Sequence, residues 1–448
     1  MSGIFCGVDV GSTNIKVLLI DENGKALWVK SVPSPRRHDG IGIVTDGLEL
    51  MEHLEALVIE GWRAVGKGKP LAALATTGIG EDGFCVDDDF KPRGFAIPWF
   101  DHRDRAEAEM LRTCPEGRAH PQINFAFSTA AAKWLWLRQH RPESLAGNDP
   151  WVTLTDFPAV WWAKRKYICA TLMARTGVLD VFTRQWIPEL LNKAKAPPLP
   201  EGLVAGSIVG TVQPGPLRAS GAAGASTLIV VAGHDHPIAS NAVMRIDPLA
   251  RIDSIGTANA LFAETTTPTT GAATAGIDLS LPVRGGPGVS VIGPIEFGIP
   301  MRQAFGDDDN VKAYLSQTSL PGSPAAAPPT IAAALADTSD HHHRRVIEAV
   351  SHEANDFLKA MRRVGIADGP VYATGGWARS RALMELRASM FGEVITAIHE
   401  PELTALGAAL FAAEAVTGSS PDFMASRSIE VIEPRRDWMD AYRQWNSH

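Results

Sequence analysis

Cysteine is scarce in this sequence. Its four thiols, Cys6, Cys85, Cys114 and Cys169, have neither metal-binding spacing nor the density of a disulfide scaffold, which points to a reducing, cytoplasmic setting. An excess of basic charge is lacking too. The net charge is −8, whereas a surface that follows a nucleic-acid backbone is basic, so no nucleic-acid partner is expected. No apolar run reaches membrane-spanning length, because Gly, Pro or a charge interrupts each one. The first residues lack the basic segment and apolar core of a secretory signal and lead directly into a strand. What is present is a 448-residue chain, 45% hydrophobic and 21% charged, enough for two domains with sizeable cores.

The most informative stretch is Asp9-Val10-Gly11-Ser12-Thr13-Asn14-Ile15-Lys16. It joins two apolar runs of strand composition, Ile4 to Val10 and Ile15 to Ile20. A short joint of Gly, Ser and Thr can turn backbone N–H groups and small hydroxyls toward a phosphate, since glycine lifts the steric barrier to close approach. Asp9 ends the first strand, where a carboxylate can hold a hydrated metal ion; an Asx-turn residue of an ordinary hairpin is the other reading. A weaker echo occurs at Asp253-Ser254-Ile255-Gly256-Thr257-Ala258-Asn259-Ala260. Two related hairpins far apart imply a duplicated fold with a nucleotide between its halves.

Around these hairpins the chain alternates strand and helix signals, the mark of an α/β layered structure. Val44 to Ala64 has helical periodicity through Leu48, Met51, Leu54, Leu57 and Val58. Leu71 to Thr77 reads as a strand, and residues 131–177 read as helical and rich in tryptophan. Leu228 to Ala232 is a strand ending in Gly233-His234-Asp235-His236, and Arg251 to Ile255 and Ala260 to Ala263 flank the second hairpin. The first half's pattern restarts there, which sets a boundary near residue 225 and domains of 1–225 and 226–448. Residues 306–340, rich in Asp, Ala, Pro and Ser, are expected to be partly mobile. A helix bearing Val346, Val350, Ala354, Phe357 and Met361, a strand from Val371 to Thr374, and a small-residue helix from Leu403 to Val416 complete the pattern. Two motif matches fail on context. Gly78-Ile79-Gly80-Glu81-Asp82-Gly83 fits G-x-G-x-x-G but no helix follows it, and Gly61 to Lys67 fits G-x-x-x-x-G-K but Gly68 stands where Ser or Thr is required.

Phosphoryl transfer needs a phosphate cradle, a metal, a positioned hydroxyl and a base. Asp235, just past an apolar strand, is the candidate base. Spacing alone favours a helix N-cap there, and a His-Asp-His metal site is a third reading. Gly375-Gly376-Trp377-Ala378-Arg379-Ser380 lets backbone approach a flat ligand at a helix start, or is a plain strand-to-helix turn. Glu81, Asp82, Trp99, Asp101 and Arg103 form a polar and aromatic group suited to sugar hydroxyls and a sugar face, although each residue singly suits an ordinary surface or core position. Trp134, Trp136, Trp161 and Trp162 read as core. Asp340 with His341, His342 and His343 reads as a solvated helix start.

With these pieces placed, the chain resembles the FGGY family of carbohydrate kinases, within the actin-like ATPase superfamily, from Gly7 to about Ala412. Asp9 to Lys16 resembles the first phosphate motif, and Trp99-Phe100-Asp101-His102-Arg103 the W-x-D-x-R segment of the sugar site. Lys133-Trp134-Leu135-Trp136-Leu137 resembles part of the helix that follows. Gly233-His234-Asp235 is similar to the motif carrying the catalytic Asp, Ser254-Ile255-Gly256-Thr257 to the second phosphate motif, and Gly375 to Ser380 to the adenosine motif. Glu402 to Ala409 resembles the C-terminal helix of the family. Two departures stand out: Ala258-Asn259 where Ser or Thr is usual, and bulky Trp377 after the glycine pair.

The resemblance implies two duplicated ribonuclease-H-like domains around a central cleft, sugar held mostly by the first and ATP with Mg2+ mainly by the second. It implies transfer of the γ-phosphate of ATP to a hydroxyl of a sugar, ketose or polyol. Asp235 would be the base and Asp9 the metal carboxylate. Gly11, Ser12, Thr13, Asn14, Lys16, Gly256, Thr257, Gly375, Gly376, Trp377 and Ser380 would bind the nucleotide. Glu81, Asp82, Trp99, Asp101, Arg103, His234, Asp235 and His236 would face the sugar. The expected partners are a small sugar or polyol and ATP, with no nucleic acid or membrane; a homodimer is allowed. The rival readings are a sugar- or nucleotide-sensing protein without turnover and a filament or chaperone ATPase on the same fold.

Overall fold

The computed structural model describes residues 3–125, 129–256, 259–274, 277–400, 402–422 and 427–445. The chain divides into two compact units. The first comprises Met1–Ala242 with Asp278–Ser290 and Thr404–Ala425; the second comprises Val243–Ile277, Val291–Leu403 and Ser426–His448.

The first unit is built on a sheet ordered Ile208–Thr211, Ala223–His234, Leu71–Gly78, Phe5–Val10, Asn14–Ile20, Ala26–Pro33. The expected hairpin is there: Phe5–Val10 runs antiparallel to Asn14–Ile20, with Asp9 opposite Lys16. Phe5–Val10, Leu71–Gly78 and Ala223–His234 are mutually parallel neighbours. Parallel strands are covered on both faces, which explains their unbroken apolar runs. The helix Gly47–Val65 supplies one cover. Asp46 caps it by accepting from the N–H groups of Leu48 and Glu49, and Leu50, Met51, Leu54, Leu57 and Val58 enter the core. Leu48, counted on the apolar stripe from its spacing, is 39% exposed, and Leu50 takes the inward position. On another side the helix Leu403–Thr417 lies directly on Phe5–Val10. A Cβ at Gly7 would stand 1.9 Å from the Ala405 carbonyl oxygen, so only glycine admits this contact.

The Trp-rich segment is not helical throughout. The helix Ala130–His140 ends before Pro142, and Trp151–Thr153 becomes a strand beside Gly83–Val86. A second helix, Phe157–Ala163, ends at Lys164 in a left-handed conformation. Proline and glycine punctuate what the apolar periodicity alone runs together. Trp134 and Trp136 are core, as expected. The strand Gly83–Val86, following Leu71–Gly78 without a helix between, disposes of the dinucleotide match, and Gly61 to Lys67 ends the helix Gly47–Val65. The boundary expected near residue 225 falls inside the strand Ala223–His234. That strand pairs with Leu71–Gly78, so the first unit continues to Ala242.

The second unit repeats the pattern. Six consecutive strands of its seven-stranded sheet run Val289–Ile295, Asn259–Thr265, Arg251–Ile255, Val371–Thr374, Ile395–Ile398, Ile429–Ile432. Arg251–Ile255 pairs antiparallel with Asn259–Thr265 and parallel with Val371–Thr374, the arrangement the first hairpin has with its own neighbour. The helices His342–Arg363, Arg381–Phe391 and Arg436–Trp445 cover this sheet through a separate apolar cluster. Residues 306–340 contain two short helices, Asp308–Leu315 and Ile331–Ala336, with Leu320 and Ala325 buried in that cluster. No helix among the described residues is long and apolar enough to cross a membrane.

Candidate active site

Three parallel strands of the first unit end at one level. Val10 is in register with Gly78 and Gly78 with His234; one step earlier Asp9 aligns with Thr77 and Thr77 with Gly233. Adjacent strands are about 4.8 Å apart, which sets Asp9 roughly 10 Å from the end of the third strand. The carboxyl ends of parallel strands are where α/β proteins bind ligands. The phosphate-type hairpin leaves the first strand, Glu81 and Asp82 follow the second, and Asp235 follows the third.

Asp9 is 7% exposed and sits across the ladder from Lys16. At Gly11 a Cβ would stand 2.5 Å from the Asn14 carbonyl oxygen, so the tight joint needs glycine. Gly11, Ser12, Arg36, Asp82 and Phe100 border one small cleft, which brings the hairpin to the expected sugar residues.

Glu81 and Asp82 are anchored by two cations. Lys133 Nζ donates to Asp82 Oδ1 and to the Glu81 carbonyl, each at 3.0 Å. Arg175 Nε donates to Glu81 Oε1 at 2.7 Å and Nη1 to Asp278 Oδ2 at 3.4 Å. Asn124 donates to the other Asp278 oxygen at 2.7 Å. Burial pushes the Asp82 carboxyl up to about 6 against the pull of Lys133. Burial also pushes Glu81 up, but Arg175, His234 and Lys133 together hold it below its ordinary value. Lys133 and Arg175 were not singled out in the sequence. The signal for Lys133 was legible: a lone cation amid Ala130 to Leu137 has no polar face and needs a buried counter-charge. Arg175 offered no comparable signal.

Asp235 opens the helix Asp235–Met244. Its Oδ1 accepts the His236 N–H at 2.6 Å, a bond to the next residue rather than to the second or third N–H that a capping Asp takes. His234 Nε2 lies 3.4 Å from the same oxygen. Burial pushes the His234 imidazole down to about 4, which leaves it neutral near pH 7. Its Nδ1 is buried without a hydrogen-bond partner among the described residues. Among the described residues no group of three His, Cys, Asp or Glu side chains is placed to hold a metal. A hydrated Mg2+ needs no such cage, because it keeps several waters and takes one or two carboxylates plus phosphate oxygens. A buried Asp9 beside a glycine hairpin fits that demand.

The W-x-D-x-R segment is held by ion pairs. Arg103 donates to Asp39 Oδ2 at 2.7 Å and to Asp101 Oδ1 at 2.9 Å, and Arg141 also reaches Asp39 at 3.1 Å. These charges satisfy one another, and Arg103 borders a separate cavity of about 540 Å3 with Arg93, Trp136 and Arg141. Trp99 is 39% exposed, edge-on to Phe100 at 5.8 Å.

In the second unit, Gly375 follows Val371–Thr374 with φ +88°, and a Cβ there would stand 2.5 Å from the Ile255 carbonyl oxygen. Space is open around Gly376. Together they form a backbone surface that a flat ligand could approach, next to the strand that ends before Gly256. Thr257 lies outside the described residues. Trp377 turns to Phe297, ring centroids 6.0 Å apart, and packs on the apolar cluster. The Ser380 hydroxyl accepts the Leu383 N–H and donates to the Leu315 carbonyl, so it caps the helix Arg381–Phe391. Asn259 is the hub of a buried network. Its Nδ2 donates to Asp253 Oδ1 at 2.6 Å and to the Ser254 carbonyl at 3.1 Å, its Oδ1 accepts from Arg387 at 3.0 Å, and Arg387 pairs with Asp253.

A family model described as the N-terminal domain of the FGGY family of carbohydrate kinases matches residues 4–241, and one for the C-terminal domain of that family matches residues 310–416. A xylulose kinase from Staphylococcus epidermidis is 32% identical over 108 residues, 23% of this chain and 22% of that protein. A glycerol kinase from Gloeobacter violaceus is 29% identical over 213 residues, 44% of this chain and 40% of that protein. The chain thus matches less than half the length of these curated relatives. The crystal structure of a xylulose kinase from Rhodospirillum rubrum superposes with a TM-score of 0.85 at 17% identity, over 100% of this chain and 98% of that one; the likeness is one of fold.

Proposed function

The chain belongs to the FGGY family of carbohydrate kinases, and from that premise we propose that it transfers the γ-phosphate of ATP to a hydroxyl of a small sugar, ketose or polyol. The observation that carries this reading is the alignment of the Asp9 hairpin, Glu81–Asp82 and Asp235 at the ends of three adjacent parallel strands. An ATPase that needs only water has no use for the middle group; an acceptor alcohol does.

Asp235 takes the proton of the acceptor hydroxyl, and neutral His234 beside it holds the carboxylate in place. Glu81 and Asp82, fixed by Arg175 and Lys133, accept hydrogen bonds from the other hydroxyls and thereby choose which one faces Asp235. The hairpin N–H groups and Lys16 would face the transferred phosphate, and Asp9 would hold Mg2+. Bound MgATP supplies the phosphoryl group and neutralises the charge that develops on it. Gly375 and Gly376 admit the adenosine, so that the first unit is chiefly the sugar side and the second chiefly the nucleotide side.

A coupled ADP-release assay across pentuloses, hexuloses, tetritols and glycerol tests this. Sugar-stimulated ADP release with at least one class is expected. ATP binding with no stimulation by any of them would leave a sensor on the kinase fold.

A further inference from the structure

Three successive carbonyls of the first hairpin are drawn to one side by a neighbouring segment. Ser34 Oγ donates to the Gly11 carbonyl at 2.6 Å, the Arg36 guanidinium donates to the Ser12 carbonyl, and the Ser34 N–H donates to the Thr13 carbonyl at 3.0 Å. Across a trans peptide the C=O of one residue and the N–H of the next point in opposite directions. Holding these carbonyls toward Ser34 and Arg36 therefore turns the N–H groups of Ser12, Thr13 and Asn14 to the other side. Successive N–H groups presented together make an anion nest. A glycine-containing joint without such a clamp samples alternative peptide orientations freely.

Arg36 adds a second feature. It lies 4.8 Å over the Phe100 ring and borders the cleft shared by Gly11, Ser12 and Asp82. The side chain is exposed, so its role is not to fill the core. We infer that Ser34 and Arg36 are positioning residues that preset the hairpin for the terminal phosphates of a nucleotide. The inference rests on the nucleotide reading given above and adds the device that makes residues 11–14 a phosphate site.

The test is calorimetric titration of the whole chain with ATP plus Mg2+, and separately with AMP, for the parent protein, Ser34→Ala, Arg36→Ala, Arg36→Lys and the Ser34→Ala/Arg36→Ala double variant. The double variant should weaken ATP binding about tenfold, as loss of two ordinary hydrogen bonds does, while AMP, lacking the terminal phosphates, binds within twofold of the parent. Arg36→Lys, which keeps a cationic N–H donor without the guanidinium plane, should recover part of the loss. A general disturbance of the fold would weaken AMP as much as ATP. That result, unchanged ATP affinity in the double variant, or no ATP binding by the parent would each overturn the inference. If the ATP-selective loss is seen but no sugar is phosphorylated by the parent, the kinase reading fails and the clamp stands.

Discussion

Asp235 stands where a strand becomes a helix, and its chemistry follows from that position. Backbone on both sides fixes the carboxylate, and His236 N–H and His234 Nε2 converge on one oxygen. Asp235→Asn keeps an acceptor for the His236 N–H but cannot take a proton. Turnover should fall by about two orders of magnitude or more, with sugar affinity and melting temperature nearly unchanged; a variant with full turnover would remove Asp235 from the role of base. Asp9 and Asp235 were legible in the sequence because each follows an apolar run and precedes a turn or helix signal. Asp156 was not, because nothing local says that a single Asp before Phe157 is buried. Its Oδ2 accepts from Thr153 and the Cys169 N–H, and burial pushes the carboxyl up from 3.8 to about 7. A carboxyl raised on folding contributes stability that is fully present below pH 3.8 and is lost as pH rises through about 7. Asp156→Asn has no such dependence. Relative to the parent, the variant should therefore gain on the order of 2 kcal/mol between pH 5 and pH 8. Urea midpoints of the two proteins at both pH values check this, and a constant difference would refute it.

At the scale of elements, the two hairpins show what pattern reading captures and what it misses. Both were legible as strand–joint–strand, and Arg251–Ile255 and Val371–Thr374 have the expected limits. The departure at Asn259, read against the family's hydroxyl residues, has a structural reason that sequence alone did not disclose. Asp253 and Arg387 are both fully buried, lie far apart in the chain, and meet only in the folded unit. Asn259 bridges them and ties the joint to the strand through the Ser254 carbonyl. Replacement by Thr supplies the usual hydroxyl, but its single O–H cannot replace the two amide N–H donors that Asp253 and Ser254 accept together with the separate carbonyl that Arg387 donates to. Asn259→Thr should thus cost about 1–3 kcal/mol, since buried polar groups lose their partners, and should weaken nucleotide binding through a loosened second hairpin. Thermal unfolding and ATP titration test both effects; a variant as stable as the parent would show that the network is dispensable. The contact of Leu403–Thr417 with Phe5–Val10 is also invisible to periodicity. Gly7 sits mid-strand, and nothing in its sequence neighbours discloses the helix backbone that lies against it. Gly7→Val should fail to accumulate as folded protein, because main chain blocks the added atoms.

At the scale of the molecule, each unit has its own sheet and its own apolar cluster. The duplication was legible because the hairpin signal recurs. The exact partition was not, since Asp278–Ser290 and Thr404–Ala425 return to the first unit through packing that no local pattern encodes. Separate cores have a consequence for ligand linkage. A ligand stabilises what it binds by mass action, about 2.7 kcal/mol at a hundredfold excess over its dissociation constant, and local opening is suppressed most where the contacts are made. If the first unit is chiefly the sugar side and the second chiefly the nucleotide side, the two ligands should leave separable footprints in amide exchange. An accepted sugar alone should slow exchange in peptides covering 79–86 and 233–236. ADP with Mg2+ should slow exchange in peptides covering 251–256 and 371–380. Nucleotide protection confined to the first unit, with 371–380 unaffected, would reverse the assignment and leave the Gly375–Gly376 turn as a plain strand-to-helix joint.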